Sequence, residues 1–346
     1  MSPWPNHIRH INPDRLPSPV HDWEDVLTTY PNIAYDCSST IATVAKSPVN
    51  EPNESGLRAF LEDRFPDMSA IVAEYKRIAS PHMLRVPSET PTGHFVGTAF
   101  GLVTTALTCP DGFRDEARSL VFRLRTPNTR RFASFIERLD PATATEPDFL
   151  RACLGLARLV DRRHASSPHA DPRLSELPRS PRTLLDLGTA QELAELSALV
   201  AIAQEDFVPT IAACGTVAAN VFDFPKPLNN PLTCLASLDL LADRTLVEIK
   251  TNGPRRPGGP SVLKKEAVAQ LIGYILRDYD DRFEFERVLL YQGRYGVTVT
   301  WDVDRLLDTA AGHRVDLART RDDFRRLLEA TAGPRPTDWW RFRVSA

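Results

Sequence analysis

Residues 235–252 read LASLDLLADRTLVEIKTN. Two apolar runs flank the polar pair Asp243-Arg244, the pattern of a β-hairpin. If those two residues form the whole turn, Ala242 pairs with Thr245 and Asp239 falls opposite Glu248. Side chains alternate along a strand, so Asp239, Glu248 and Lys250 share one face. Leu238, Leu240, Val247 and Ile249 then form the other, a core face. Directly opposed residues have Cβ atoms roughly 4.5–5.5 Å apart, where like charges are destabilising. Something must offset the repulsion between Asp239 and Glu248, and a divalent cation is the simplest candidate. Two carboxylates are hard oxygen ligands, which suits Mg²⁺ or Mn²⁺. The main-chain carbonyl of Ile249 is a further ligand candidate. Lys250 can contact a phosphate oxygen or a water held by the metal. The set fits metal-assisted phosphodiester hydrolysis, with the ammonium stabilising charge as it develops. The competing account is a structural ion pair at a strand end. Asp-Arg is not the Asn-Gly type favoured in two-residue hairpins, and another loop length would shift the register by a residue.

The chain contains its own control. Glu74-Tyr75-Lys76 is also E-x-K, but it sits in a helical stretch where positions i and i+2 do not face each other. It reads as solvated surface. The 248–250 copy differs by its apolar strand, its opposed acid and the basic loop that follows. From Ile249 to Lys265 there are five basic residues and no acidic one. Arg255, Arg256, Lys264 and Lys265 are candidate contacts for a phosphate backbone. Arg294, at the end of a later strand, is another.

Working outward, SVLKKEAVAQLIGYILRDY (261–279) reads as a helix with Val268, Leu271, Ile272 and Ile275 as its core stripe. Gln270 and Tyr274, at i and i+4, share one flank. FERVLLYQG and YGVTVTWDV read as strands. Before the hairpin come a helix (189–207) and a strand, GTVAANVFDF (215–224). The order is helix, three strands, helix, strand. Residues 55–166 carry a helical rhythm in five segments, broken by Pro and Asn. Residues 166–181 read as a linker or long loop, and 1–54 as irregular.

The whole chain of 346 residues has a net charge of −3, so no global basic footprint marks a nucleic-acid binder. No apolar run approaches the length expected of a membrane span, and the N-terminus lacks a signal-peptide core. Cys37, Cys109, Cys153, Cys214 and Cys234 are scattered and odd in number, which implies reduced thiols in a cytoplasm. No Gly-rich phosphate loop or metal-spaced His/Cys set is present.

An aspartate, a strand turn and Glu-x-Lys within an α-β-β-β-α-β order resemble the PD-(D/E)XK nuclease superfamily. Gln270-x-x-x-Tyr274 on the next helix resembles its RecB-type branch. The resemblance implies that Gln270 and Tyr274 line the site beside the metal and the nucleic-acid backbone. The stretch from LNNPLTC to LLYQGRYG is also similar to a family of uncharacterised bacterial proteins, whose nuclease-like segment follows a helical region with a G-T-A-F element. Here that element is GTAFGLVTTAL, 97–107. The superfamily often carries a further acid or histidine on the first core helix. Glu192, Glu195 and His94 are the candidates, although solvated surface is the simpler account of both glutamates and a surface or capping role that of His94.

The expectation is therefore an α/β, restriction-endonuclease-like core with a mixed sheet over 186–346. A helical region, 55–185, would pack onto it or contribute to it, after an irregular segment, 1–54. The implied activity is Mg²⁺- or Mn²⁺-dependent DNA hydrolysis in phage defence, restriction or repair. The helical region would recognise a protein partner or a substrate feature, with no membrane involved. A catalytically silent binding or assembly protein on the same fold is the alternative, and an RNase a third.

Overall fold

The computed structural model describes residues 59–88, 93–123, 129–161, 181–219, 238–253 and 258–331. Segment 1–54, most of the 166–181 loop, Arg255, Arg256 and residues 220–224 of the expected strand 215–224 lie outside these residues.

The helical rhythm of the first half is realised closely. Helices α1 (Met68–Ala79), α2 (Gly93–Thr108), α3 (Pro110–Arg123), α4 (Thr129–Glu137) and α5 (Pro147–Asp161) follow the five apolar-periodic segments. A short α6 (Pro181–Leu185) precedes α7 (Ala190–Cys214). Thr189 caps α7 by accepting from the Glu192 N–H, and the Glu192 carboxylate accepts from the Thr189 N–H in return, a capping box. The helix passes through Pro209 and ends at Cys214, about two turns beyond the expected stop at 207.

The sheet then forms from β1 (Val217–Ala219), β2 (Leu240–Ala242), β3 (Thr245–Lys250), β4 (Arg287–Gln292) and β5 (Val297–Asp302), in that spatial order. Only β3 and β4 are parallel. A parallel neighbour needs a crossover, and α8 (Lys265–Arg277) supplies it. The result is an α/β fold around a mixed five-stranded sheet. Two helices beyond those expected, α9 (Val303–Ala311) and α10 (Leu317–Thr331), close the described chain. The spacing of Val303, Leu306, Leu307 and Ala310 is plainly helical, and all four are buried.

Both faces of the sheet are covered. Leu240, Ala242, Val247, Leu289 and Tyr291 pack with residues of α2, α5 and α7, including Phe100, Leu154, Leu199 and Phe207. Leu241, Leu246, Val288 and Leu290 pack with α1, α8 and α9. Leu238, expected beside Leu240, belongs instead to this second layer, because β2 begins only at Leu240 and strict alternation does not reach back to 238. Each buried Leu, Ile or Val contributes about 1.5–3 kcal/mol relative to exposure, so the two layers together fix the hairpin's orientation. Helices from the 55–185 region thus lie against both faces.

Among the described residues α7 is, by length and composition alone, long and apolar enough to cross a bilayer, contrary to the expectation that no run would qualify. In this fold its Leu196, Leu199, Ala203 and Phe207 are buried in the layer beneath the sheet.

Candidate active site

The hairpin closes through the two-residue turn. Ala242 pairs with Thr245, Leu241 with Leu246 and Leu240 with Val247; the ladder stops there, and Asp239 sits in a bend just before β2. Asp243 takes up the geometry that Gly would otherwise supply, with φ 51°, a left-handed conformation that Asp tolerates better than most residues. Its N–H donates to the Thr216 carbonyl at 2.7 Å, and the Arg244 carbonyl accepts from the Glu286 N–H at 2.9 Å, so both neighbouring strands hold the turn.

Glu248 and Lys250 alternate with Val247 and Ile249 and therefore point to the α8 side. Gln270 and Tyr274 come down from α8 to meet them. The Lys250 ammonium donates to Glu248 Oε1 and, at 3.1 Å, to Gln270 Oε1. Gln270 Nε2 donates to the same Glu248 oxygen at 3.0 Å and to Tyr274 Oη at 2.7 Å. A carboxylate only accepts and an ammonium only donates, so this network sets which end of the Gln270 amide is which. Asp239 Oδ2 accepts from the Ile249 N–H at 2.6 Å, which anchors the acid to the strand opposite.

Exposure divides the group. The Glu248 side chain is 4% accessible and that of Lys250 is 21%, so the lysine is the more exposed of this pair. Burial pulls the Lys250 ammonium toward deprotonation, but the Glu248 and Asp239 charges and the hydrogen bond to Glu248 outweigh it, leaving its pKa above the ordinary lysine value. Burial, with the Glu248 and Asp239 charges added, pushes the Tyr274 phenol well up, against a smaller opposing effect of the Gln270 hydrogen bond. At neutral pH the group holds an ammonium and a neutral phenol.

Among the described residues there is no cluster of three or more His, Cys, Asp or Glu side chains of metal-binding geometry. The donor set is two carboxylates and the Ile249 main chain. Glu248 Oε2 stands outside the Lys250–Gln270 bonds. Such a set fits Mg²⁺, which keeps several waters and is held through one or two carboxylates plus substrate phosphates.

The candidates for a further ligand go elsewhere. Glu192 and Glu195 are 1% and 6% exposed, not solvated surface. Glu192 pairs with Arg158 from α5. Glu195 pairs with Arg294 in the β4–β5 turn. His94 is exposed, its ring 3.9 Å from that of Phe95. Arg294, expected as a phosphate contact, is 1% exposed. Besides Glu195 it donates to the carbonyls of Thr251 (2.6 Å), Val86 (3.3 Å) and Pro87 (3.0 Å). It is an internal brace behind the strand end rather than a surface cation. Lys264 and Lys265 are exposed at the start of α8. In the control copy, Tyr75 is fully buried and Glu74 is bonded to Arg305 at 2.6 Å, so that segment is half core rather than solvated surface.

The G-T-A-F element has a structural role at this site. A Cβ on Gly97 would lie 2.5 Å from Thr251 Oγ1, and one on Gly293 would lie 2.8 Å from the Phe100 ring. Helix α2 therefore presses on the two turns that follow β3 and β4.

Compared with protein-family models, curated proteins and solved structures, the chain matches none.

Proposed function

We propose that this protein is a Mg²⁺- or Mn²⁺-dependent deoxyribonuclease on a restriction-endonuclease-like core, acting in phage defence, restriction or repair. The observation that carries the reading is the single knot formed by Glu248, Lys250 and Gln270, with Asp239 bonded to the Ile249 N–H, on a strand between an antiparallel and a parallel neighbour. Asp239 and Glu248, with the Ile249 carbonyl, would hold the cation. Bound there, it would activate water and neutralise charge on the phosphate. Lys250 remains protonated and places positive charge beside the scissile group, a stabilising rather than a proton-abstracting role. Gln270 orients both the ammonium and Glu248, and Tyr274 fixes the second N–H of Gln270. Lys264 and Lys265, at a helix N-terminus where main-chain N–H groups also favour anions, are suited to the nucleic-acid backbone.

One observation favours a second reading, a catalytically silent binding or assembly protein. Glu195, the acid on the helix before β1, is neutralised by Arg294. The two readings separate in one assay: cleavage of linear and circular, single- and double-stranded DNA, and of RNA, with Mg²⁺ or Mn²⁺. Metal-dependent cutting that disappears in Lys250→Ala and with chelator supports the nuclease. The absence of both cutting and calorimetric Mn²⁺ binding supports the silent protein. Cutting of RNA alone would make it an RNase.

A further inference from the structure

The face of the sheet that carries the site holds one more polar side chain. Gln292 ends β4 and is the parallel register partner of Lys250. In-register parallel neighbours project to the same side, with strands roughly 4.7–4.9 Å apart. Alternation along β4 agrees: Val288 and Leu290 face α8, while Leu289 and Tyr291 face α7.

Gln292 is 1% exposed, and among the described residues nothing donates to its Oε1. Its amide lies beside the Tyr75 hydroxyl, which is itself bonded to Ser261. Tyr295 Oη donates to the Gly259 carbonyl at 2.9 Å. The amide is thus hemmed in by α1 and by the chain leading into α8, with its carbonyl oxygen unmatched. Buried polar atoms nearly always have partners, and an exception calls for an explanation.

Lys250 supplies one. Its ammonium has three donors, and its two acceptors are Glu248 Oε1 and Gln270 Oε1. A divalent cation on Glu248 would bring like charge against that ammonium. The lysine side chain then has every electrostatic reason to swing through its terminal rotamers to another acceptor.

We propose that Gln292 is a positioning residue of this site: its side-chain carbonyl receives the Lys250 ammonium when a divalent cation engages Glu248. The inference rests on the cation reading of the hairpin. It assigns Lys250 two seats, one on Glu248 and Gln270 and one shared with Gln292. It also assigns Tyr75 the task of holding the Gln292 amide in place.

The test is a double-mutant cycle read by calorimetric Mn²⁺ binding rather than by cleavage. Gln292→Leu and Gln292→Met remove the acceptor at similar volume. Each is made alone and with Lys250→Ala, and thermal unfolding verifies that each folds. Either change is expected to weaken Mn²⁺ binding on the order of tenfold, the usual range for outer-shell partners. In the Lys250→Ala background the same change should alter affinity by less than about twofold, because the group it serves is gone. An equal loss in both backgrounds would make Gln292 a structural or water-holding residue and overturn the inference. Unchanged affinity with Lys250 present would overturn it too, leaving the cation site intact. Wild type that binds no Mn²⁺ would overturn the cation reading itself, and this inference with it.

Discussion

Arg294 reaches back from the turn after β4 to Glu195 on α7, and the pair is closed off from solvent. Four elements meet at the guanidinium: α7 through Glu195, the segment before α2 through the Val86 and Pro87 carbonyls, the end of β3 through the Thr251 carbonyl, and the turn itself. Removing one partner of a buried pair leaves an uncompensated charge and costs about 3–5 kcal/mol, whereas replacing both by apolar groups is often neutral. Arg294→Ala and Glu195→Ala should each lower unfolding free energy by that amount in denaturant titrations. Glu195→Leu with Arg294→Met should recover the part due to the unpaired charge, while the Thr251, Val86 and Pro87 carbonyls left without their donor keep the rest.

A second prediction concerns Gly97. Adding a methyl group there brings Cβ to 2.5 Å from Thr251 Oγ1, while the Thr251 Cβ is 3.8 Å away. Gly97→Ala should destabilise by about 1–3 kcal/mol, the usual cost of overpacking. Removing the hydroxyl with Thr251→Ala relieves the contact. The double variant should therefore unfold at a denaturant midpoint close to that of wild type, and the single variant clearly below it.

At the site, Tyr274→Phe removes the acceptor for one Gln270 N–H and leaves that donor buried. An unmatched buried donor costs about 1–3 kcal/mol. Gln270→Leu cuts deeper into function, because it unties Lys250 and Glu248 together. Its Mn²⁺ affinity should fall on the order of tenfold or more, as for other outer-shell losses, while Tyr274→Phe should move stability more than affinity. Calorimetry and thermal unfolding on the two variants separate these outcomes.

The hairpin is legible because strand periodicity is strict: TLVEIK is β3 to the residue, and the two-residue turn sets Ala242 opposite Thr245 as the spacing predicts, while Asp239 reaches β3 through its side chain, on the Ile249 N–H. The core stripe of α8 and the meeting of Gln270 with Tyr274 follow from 3.6-residue periodicity in the same way. What escaped was long-range pairing. Nothing local in AQELAEL shows that Glu192 and Glu195 each receive an arginine, from residue 158 and residue 294. Arg294 was misjudged for the same reason, since its acceptors are carbonyls far along the chain. The end of α7 was missed because Pro209 reads as a stop, yet the helix runs through it. Gln292 carries no local signal of its own; only the β3–β4 register sets it beside Lys250.

Alkaline pH should destabilise the fold through its buried phenols. Burial raises Tyr75 from the ordinary value of 10.0 to about 12, against the Ser261 hydrogen bond, and pushes Tyr274 well above the ordinary value too. The folded state therefore keeps these protons where the unfolded chain has lost them. Stability is fully present below about pH 10 and declines as pH rises through about 12. Denaturant midpoints measured across that range should fall steadily, with tyrosinate absorbance from these residues appearing only on unfolding. Tyr75→Phe should flatten part of the slope.

A chain beginning at residue 186 would lack α1, α2 and α5. It would expose apolar side chains on both faces of the sheet, among them Leu241, Leu246, Leu240 and Val247. Such a fragment should aggregate or retain secondary structure without fixed packing. Near-ultraviolet circular dichroism and light scattering, compared with the full chain, would show it.

The Tyr75–Ser261 bond joins residues 186 positions apart. On a ribosome, α1 emerges long before the strands and helices that cover it, and its apolar face lacks those partners until α8, β5 and α9 have been made. Contacts of such sequence separation form late and slowly. The neighbourhood of Lys250 is therefore among the last parts of the molecule to be assembled, and an incomplete chain carries the hairpin without its finished surroundings. For a protein proposed to cut nucleic acid, the order of folding itself withholds a finished site from the nascent chain.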